Sequence, residues 1–408
     1  MSFFFLSTIA FSVISQSILD LSITLLMLSL IFYHYKKHKT SPKIAIIRKP
    51  FLFEIGFILY IFSIVLGLIY YYQFDFKTII QSVIKFSWII NFYIFYWYFK
   101  TTRPKFKTIV LFFICGFLIS NIYALTTFIY NYDFLTQDEL KNRRVIGLLN
   151  SATYHAHANA LIFSFFVTYI FFKFKELSFK LKVAFLAATT LMGLSIFLTL
   201  TRGPILSLFI VFMIFIFMQS RKWFILALAT IMTISLLLYT QTDLIKNRVA
   251  QTVDKSQIDN IRVNLFKVHI EMIKDSPLIG IGYNSPLNHT RGWWHTLNLP
   301  EDYYDSHAHN QLLNVWATTG IFGLLSFCLF YFWFLIKNLQ LVRFFKQHGD
   351  RENYYLATAC LITQAEYLLA NLTDIGFEYS KIRTLILIIW ALVLALMTKQ
   401  KEISHAIK

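Results

Sequence analysis

Residues 305–310 read Asp-Ser-His-Ala-His-Asn, a polar run immediately before a long apolar stretch. A histidine there could act as a general base near neutral pH, because the imidazole pKa is ordinarily about 6.5. If a helix begins at His309 and Asn310, its free backbone N–H groups attract an anion and disfavour a protonated imidazole. The simpler alternative is that Asp305 or Ser306 caps this helix and the histidines are only interfacial.

The stretch Leu-Thr-Leu-Thr-Arg-Gly-Pro, residues 198–204, places an arginine between two apolar runs. The planar guanidinium of Arg202 can bind a phosphate group through two parallel hydrogen bonds. Pro204 suits the first turn of a helix, whose N-terminus would add further donors to such a site. Snorkelling of Arg202 to lipid headgroups is the alternative role.

Other cations could contribute to an anion site. Residues 259–284 have the periodicity of an amphipathic helix that ends at Ser-Pro, and Arg262 could reach an anionic ligand from it. Arg143 and Arg144 lie side by side in Lys-Asn-Arg-Arg-Val, where they could contact a ligand or headgroups. His307 is a possible substitute base, and Asp305 could be a cap, a histidine partner or a ligand.

The composition indicates the elements that position these residues. The chain has 408 residues, of which 57% are hydrophobic and 14% charged, with mean hydropathy of +0.58. Soluble domains carry about 25% charged residues. Because a membrane span needs about 20 apolar residues and must satisfy its own backbone, the recurring apolar runs predict an all-α polytopic membrane protein.

We predict about 12 transmembrane helices. Their ranges are 3–16, 19–35, 51–72, 78–99, 108–130, 157–173, 183–200, 204–219, 223–240, 310–336, 354–372 and 382–398. With the N-terminus inside, 23 of the 38 Lys and Arg residues lie in cytoplasmic segments and 14 on the opposite side. This asymmetry is the positive-inside pattern, so the net charge of +17 does not indicate nucleic-acid binding.

The spans divide the chain into three parts. Residues 1–240 hold helices 1–9 with short loops, residues 241–308 form a large periplasmic loop subdomain, and residues 309–408 hold helices 10–12 and a cytoplasmic tail. The loop 131–156 is the second long outward segment, and long ordered loops are commonly functional. Three charged residues fall within spans, where they could mark a transport pathway, pair internally or lie nearer the interface: Glu54, Lys85 and Glu366.

The sequence indicates neither a metal nor a cofactor. The three cysteines lie in apolar runs without metal-ligand spacing and are expected to be packing residues: Cys115, Cys328 and Cys360. We find no P-loop and no Rossmann glycine pattern, so nucleotide chemistry has no visible site. The candidate chemistry is therefore acid–base catalysis and anion binding at the outer membrane surface.

Together these features resemble the O-antigen ligase and polymerase superfamily of bacterial inner-membrane glycosyltransferases. The resemblance covers the architecture of nearly the whole chain. Locally, His309-Asn310, nine residues, then Gly320-Ile-Phe-Gly323 match a family pattern of His-Asn/Ser/Gln, nine residues, Gly-x-x-Gly/Thr/Tyr. Thr-Arg-Gly-Pro at 201–204 is similar to the family's Thr-Arg-Gly/Ala motif, and Arg262 matches its loop arginine less securely.

The resemblance implies a GT-C-like fold and an O-antigen ligase reaction at the periplasmic face of the inner membrane. A polysaccharide would pass, with inversion, from undecaprenyl pyrophosphate to a sugar hydroxyl of lipid A–core, without metal or nucleotide. His309 would act as the base, and Arg202 and Arg262 would bind the pyrophosphate. The other expected partners are membrane lipids, and no nucleic acid.

Two other functions stay open at this point. An O-antigen polymerase would use the same donor but extend a second lipid-linked glycan, although the complete His-Asn and Gly-x-x-Gly pattern favours a ligase. A lipid or sugar transporter would instead carry polar residues along its spans at mid-membrane depth. The polar residues of this chain gather at one face, which favours an enzyme.

Overall fold

The computed structural model shows an almost entirely helical chain. It describes residues 16–38, 52–72, 87–102, 106–140, 144–149, 151–241, 258–282, 286–300 and 307–407, together with residues 3, 5, 7, 8 and 246.

The described residues form 13 α-helices. In chain order they are α1 (Gln16–His38), α2 (Leu52–Tyr72), α3 (Ser87–Thr102), α4 (Phe106–Tyr130), α5 (Ala152–Lys173), α6 (Phe179–Leu198), α7 (Arg202–Gln219), α8 (Arg221–Gln241), α9 (Ile258–Asp275), α10 (Pro286–Thr296), α11 (Gln311–Gln347), α12 (Arg351–Ala370) and α13 (Ser380–Ile407). Two short 3₁₀ helices cover Gly147–Leu149 and Phe174–Glu176. A small antiparallel ribbon pairs β1 (Tyr132–Asp133) with β2 (Asp138–Glu139).

Long apolar runs form these helices because a helix satisfies its own backbone hydrogen bonds inside lipid. Among the described residues, seven helices are long and apolar enough to cross a membrane: α1, α2, α5, α6, α7, α11 and α13. The predicted all-α polytopic membrane fold is thereby confirmed. The number of twelve spans stays a prediction. Most of residues 3–16 and all of residues 78–86 lie outside the described residues.

Aromatic packing joins α2, α11 and α13 into one core. Phe57 of α2 meets Phe330 of α11 edge-on with ring centroids 5.0 Å apart, and Phe334 stacks on Trp390 of α13 at 5.0 Å. These rings are fully or almost fully buried. Aromatic pairs at such distances stabilise by about 0.5–1.5 kcal/mol beyond their area burial. The three helices therefore form a firm support for the segments at their ends.

The start of α5 differs from the predicted boundary. α5 begins at Ala152 with Ser151 as its N-cap, so residues predicted in the loop 131–156 belong to its first turns. His155 and Asn159 are buried there in a polar network with Ser195 of α6, and this network permits polar residues in a buried helix. The hydropathy of the sequence falls at these positions, which displaced the predicted start.

Of the charged residues predicted inside spans, two are paired. Glu54 lies in the first turn of α2, near the helix end, and accepts a hydrogen bond from the Tyr93 hydroxyl at 2.8 Å. Glu366 is buried in α12 and accepts one from the Ser207 hydroxyl at 2.8 Å. Lys85 lies outside the described residues. Each of the two described carboxyl groups therefore has a hydrogen-bond partner within the protein.

The segment 277–282 crosses α11 where that helix is broken at Gly320, whose φ is 68°. Ile321 N–H donates to the Pro277 carbonyl at 2.9 Å rather than to its own helix. The Ala317 carbonyl instead accepts from the Ile281 N–H at 2.9 Å. The crossing segment thus satisfies the backbone groups that the break would leave unpaired.

Two glycines allow this crossing. A Cβ on Gly320 would lie 2.1 Å from the Leu278 carbonyl oxygen, and a Cβ on Gly280, at φ 73°, would lie 2.5 Å from the Gly320 nitrogen. Only glycine adopts positive φ at little cost and leaves room for such a backbone approach. The first glycine of the Gly-x-x-Gly pattern is therefore a packing residue, which allows the segment 277–282 to lie against α11.

We expect Gly320→Ala to lower the free energy of unfolding by at least about 3 kcal/mol, because it adds a backbone clash to positive-φ strain. Gly349→Ala is the matched control: its φ is 69°, but no atom lies within 4 Å of the added Cβ. Strain alone should cost about 1–2 kcal/mol there. Thermal unfolding in detergent measures both, and equal shifts in Tm would contradict the crossing.

Candidate functional site

The candidate site lies at one end of the helix bundle, which we call the outer end: the end that carries residues 199–201, 307–310 and 371–379. The loop 371–379 joins α12 to α13 and is tied to the start of α11. Asn310 donates from Nδ2 to the Leu372 carbonyl at 3.1 Å, and Gln311 N–H donates to the Asn371 carbonyl at 2.9 Å. These bonds hold the loop beside the histidine run.

Asn310 is also the N-cap of α11, and its Oδ1 accepts from the Leu313 N–H at 3.0 Å. The cap at Asn310 therefore excludes the alternative in which Asp305 or Ser306 caps this helix. Asn has the same small acceptor side chain as other good caps, so composition alone does not choose between them. The asparagine of the His-Asn pattern thus has a structural role that fixes the backbone immediately after His309.

Asp374 lies between two histidines from different parts of the chain. Its Oδ2 is 3.3 Å from Nε2 of His157 on α5, and its Oδ1 is 3.7 Å from Nδ1 of His309. Asp374 and His157 are buried, whereas the His309 side chain is 27% exposed. His309 is therefore the member of this group that a substrate can reach.

The carboxyl group of Asp374 is held in its ionised form. Burial alone would raise its pKa, but the adjacent imidazoles of His157 and His309 outweigh burial, and the pKa lies well below the ordinary value. An ionised carboxylate beside an imidazole orients the ring and stabilises the positive charge that forms when the ring takes up a proton. The Asp374–His309 pair therefore has the composition of a general base with its orienting group.

His309 has a strained backbone. Its φ is 46°, in the left-handed region that residues with a Cβ rarely occupy. Strain of this kind costs about 1–3 kcal/mol and is concentrated at functional sites. The following cap at Asn310 and the loop contacts at Asn371 and Leu372 maintain the conformation. The structure keeps His309 beside Asp374 despite this cost.

Arg202 lies near the loop 371–379 because the next residue, Gly203, packs against that loop. It is the first residue of α7, and a Cβ added to Gly203 would lie 1.9 Å from Oγ1 of Thr373. Thr373 precedes Asp374, so the start of α7 packs directly against the loop that holds the carboxylate. The Arg202 Nη2 atom is buried and has no hydrogen-bond partner among the described residues. Such a buried donor is available to an anion.

Arg144 supports the turn that precedes Arg202. Its Nε donates to the Thr199 carbonyl at 2.8 Å, and its Nη2 donates to the Thr201 hydroxyl at 3.0 Å. The adjacent Val145 N–H donates to the Leu198 carbonyl at 3.2 Å. Arg144 thus stabilises this turn, its predicted contact with a ligand or headgroups stays a prediction, and Arg143 lies outside the described residues.

Of the other predicted site residues that the structure describes, His307 contacts His309, whereas Arg262 does not. His307 packs edge-on against His309 with ring centroids 4.2 Å apart, and its Nε2 lies 3.4 Å from the Tyr379 hydroxyl. Arg262 is exposed on α9, and within the described ranges no hydrogen bond or ion pair joins it to His309 or Arg202. Asp305 lies outside the described residues.

The sequence reasoning missed His157 and Asp374. Asp374 is a charged residue between two apolar runs, and the same feature had identified Arg202. His157 stands in Tyr-His-Ala-His-Ala-Asn, an unusually polar start for an apolar helix. The sequence shows no metal-ligand spacing either, yet the ligand atoms of His307, His309 and Asp374 all lie within 4.8 Å of one another.

A comparison with protein-family models matches part of the chain. Residues 186–328 match the family model described as O-antigen ligase. The matched range contains Arg202, Arg262 and His309, whereas His157 and Asp374 lie outside it. No curated protein matches the sequence. The match, together with the multi-pass helical architecture, supports a role of the O-antigen ligase or polymerase type. Over residues 186–328 the chain is therefore similar to the O-antigen ligase family, and this match covers less than half of the chain.

Proposed function

We propose that the protein is an O-antigen ligase of the bacterial inner membrane. It transfers a polysaccharide from undecaprenyl pyrophosphate to a sugar hydroxyl of lipid A–core, with inversion and without a catalytic metal. The transfer takes place at the periplasmic face, where both lipid-linked substrates present their sugars. The observation that carries the proposal is the buried, unpartnered Nη2 of Arg202. Arg202 precedes Gly203, which packs against Thr373 in the loop that also carries Asp374, and Asp374 lies beside His309.

The first step of the reaction is proton removal. His309 takes the proton from the acceptor hydroxyl, and the oxygen forms a bond to the anomeric carbon from the face opposite the leaving group. Asp374 orients the imidazole and stabilises its positive charge as the proton arrives. His157, which is buried against the second carboxylate oxygen, positions Asp374 and does not touch the substrate.

The second requirement is stabilisation of the leaving group. As the bond from the anomeric carbon to the pyrophosphate oxygen breaks, the electron pair stays on that oxygen and negative charge grows. Arg202 faces this charge with its free Nη2 donor, and the first backbone N–H groups of α7 add to the positive potential. We also propose Arg262 as a second cation toward the pyrophosphate. It lies on α9, which packs through Leu265 and Val268 against the first turns of α11.

A transfer assay with two acceptors tests this proposal. Purified wild-type protein receives undecaprenyl-pyrophosphate glycan with either lipid A–core or a second lipid-linked glycan. We expect glycan to appear on lipid A–core, detected as a mass increase of that lipid. Elongation of the lipid-linked glycan alone would make the protein a polymerase with the same site. Donor binding without transfer to either acceptor would contradict an enzyme and favour a transporter.

A further inference from the structure

The group formed by His307, His309 and Asp374 has the chemistry of a metal site as well as that of a base. Each side chain offers one ligand atom, and these atoms all lie within 4.8 Å of one another. Imidazole nitrogens and carboxylate oxygens are the ligands of Zn²⁺ and related divalent ions. Bonds of about 2.0–2.2 Å place tetrahedral ligands about 3.4 Å apart. The group would therefore need to contract by no more than about 1.4 Å.

The two carboxylate oxygens of Asp374 have different neighbours, so one oxygen can bind a metal while the other is supported by a protein side chain. Oδ1 faces His309 at 3.7 Å and is the oxygen on the side of the metal-ligand group. Oδ2 lies 3.3 Å from His157 Nε2, so His157 would support the carboxylate through the oxygen that does not bind the metal. Carboxylates that bind metals are commonly supported by a second polar group, and such support raises metal affinity.

The histidines are arranged before any ion arrives. Their rings are 4.2 Å apart and nearly perpendicular, and the Tyr379 hydroxyl lies 3.4 Å from Nε2 of His307. His309 is fixed by its left-handed backbone and by the cap at Asn310. Because these groups are already ordered, an ion loses little free energy to ordering them. The exposed part of His309 gives the ion a route of entry.

We propose that His307, His309 and Asp374 bind one Zn²⁺ or a similar divalent transition-metal ion, and that the bound ion inhibits glycosyl transfer. The ion takes the lone pair of His309, which is then unavailable for the acceptor proton. The metal is therefore an inhibitor and not a cofactor. The inhibition rests on the proposed function, whereas the binding does not.

Direct binding to the purified full-length protein tests this proposal. After chelator treatment and dialysis, Zn²⁺ is titrated by calorimetry, and Co²⁺ is titrated by its visible absorption. We expect one ion per chain and absorption bands of a four-coordinate Co²⁺ site. His307→Ala and the more conservative His307→Asn should both weaken binding at least tenfold. His295→Ala, an exposed histidine of α10, is the matched control and should bind as the wild type does.

Measuring Zn²⁺ binding and the rate of glycosyl transfer separately distinguishes failure of the metal site from failure of the proposed function. If Zn²⁺ binds and lowers the rate of transfer to lipid A–core, and a chelator restores the rate, both parts are supported. Zn²⁺ binding that leaves the transfer rate unchanged, or raises it, would overturn the inhibition. Absence of binding by folded wild type, or equal binding by folded His307→Asn, would overturn the site while leaving the proposed function intact.

Discussion

Replacement of His309 by alanine is expected to lower the transfer rate by about 10²–10⁴-fold, because general-base catalysis contributes a factor of that size. The loss should appear in kcat, since His309 acts on the acceptor proton in the transition state and adds little to donor binding. Single-turnover transfer to lipid A–core measures the change. Donor affinity, measured by the quenching of a fluorescent lipid-linked glycan, should change by less than about threefold.

Two controls keep this result specific to the site. His295→Ala removes a histidine from exposed α10 and should retain wild-type transfer. Because His309 occupies a left-handed conformation, His309→Asn provides a second variant with a residue that tolerates positive φ. If His309→Asn folds as the wild type does and transfers at the wild-type rate, His309 is not the base.

Replacement of Arg202 by alanine is expected to lower kcat/KM by about 10²–10³-fold, the usual effect of removing one donor that stabilises developing charge. The free Nη2 of Arg202 is the donor in question. Arg202→Lys should recover only part of the loss, because an ammonium group keeps the charge but loses the planar fork that matches a phosphate. The measurement is the rate of transfer at several donor concentrations.

The control for this experiment is Arg291→Ala, which removes an exposed arginine from α10. We expect a change of less than about threefold. We also expect Arg262→Ala to cost less than Arg202→Ala, because Arg262 is exposed, and exposed charges interact more weakly than buried ones. Equal activity of Arg202→Ala and the wild type would contradict the assignment of the leaving-group site.

Most of the fold was predictable from sequence, because length and hydropathy largely determine a membrane span. The boundary of α5 was not, since His155 and Asn159 lower the local hydropathy while their side chains satisfy each other inside the bundle. The cap of α11, which is Asn310, was not identified from sequence either. Three residues close in sequence have cap-forming side chains, and only the hydrogen bond from the Leu313 N–H to Asn310 Oδ1 identifies the cap.

The site was predictable only in part. Arg202 and His309 were identified because each interrupts apolar sequence within a recognisable pattern. Their shared contact with the loop 371–379 depends on how α7, α11 and α12 pack, and no local pattern encodes that packing. His157 and Asp374 were missed for the same reason. Their role depends on a contact between them, and they are far apart in the sequence.

The sequence pattern also combined two different roles. His309 and Gly320 belong to one family pattern, yet His309 is the candidate base and Gly320 allows a backbone crossing. Likewise, Arg202 keeps a free donor, whereas Arg144 is used to hold the turn before it. Residue type alone does not separate a ligand-binding arginine from a structural one, because both need the same hydrogen-bond donors.

The central claim is that the start of α7 and the loop of Asp374 form one site with His309, and a disulfide tests it most directly. Cysteines would replace Gly203 and Thr373 in a protein whose three native cysteines are replaced by serine. A Cβ on Gly203 would lie 3.2 Å from the Thr373 Cβ, just below the range of about 3.5–4.5 Å in disulfides. The control pairs Gly203→Cys with Gly349→Cys, which follows α11 at the opposite end of the bundle.

After mild oxidation with diamide in native membranes, mass spectrometry of the digested protein counts the linked peptides. The account predicts nearly complete linkage of positions 203 and 373 and none in the control pair. Absence of linkage between 203 and 373 in folded protein would contradict a shared site. The proposed cooperation of Arg202 with His309 would then have no structural basis.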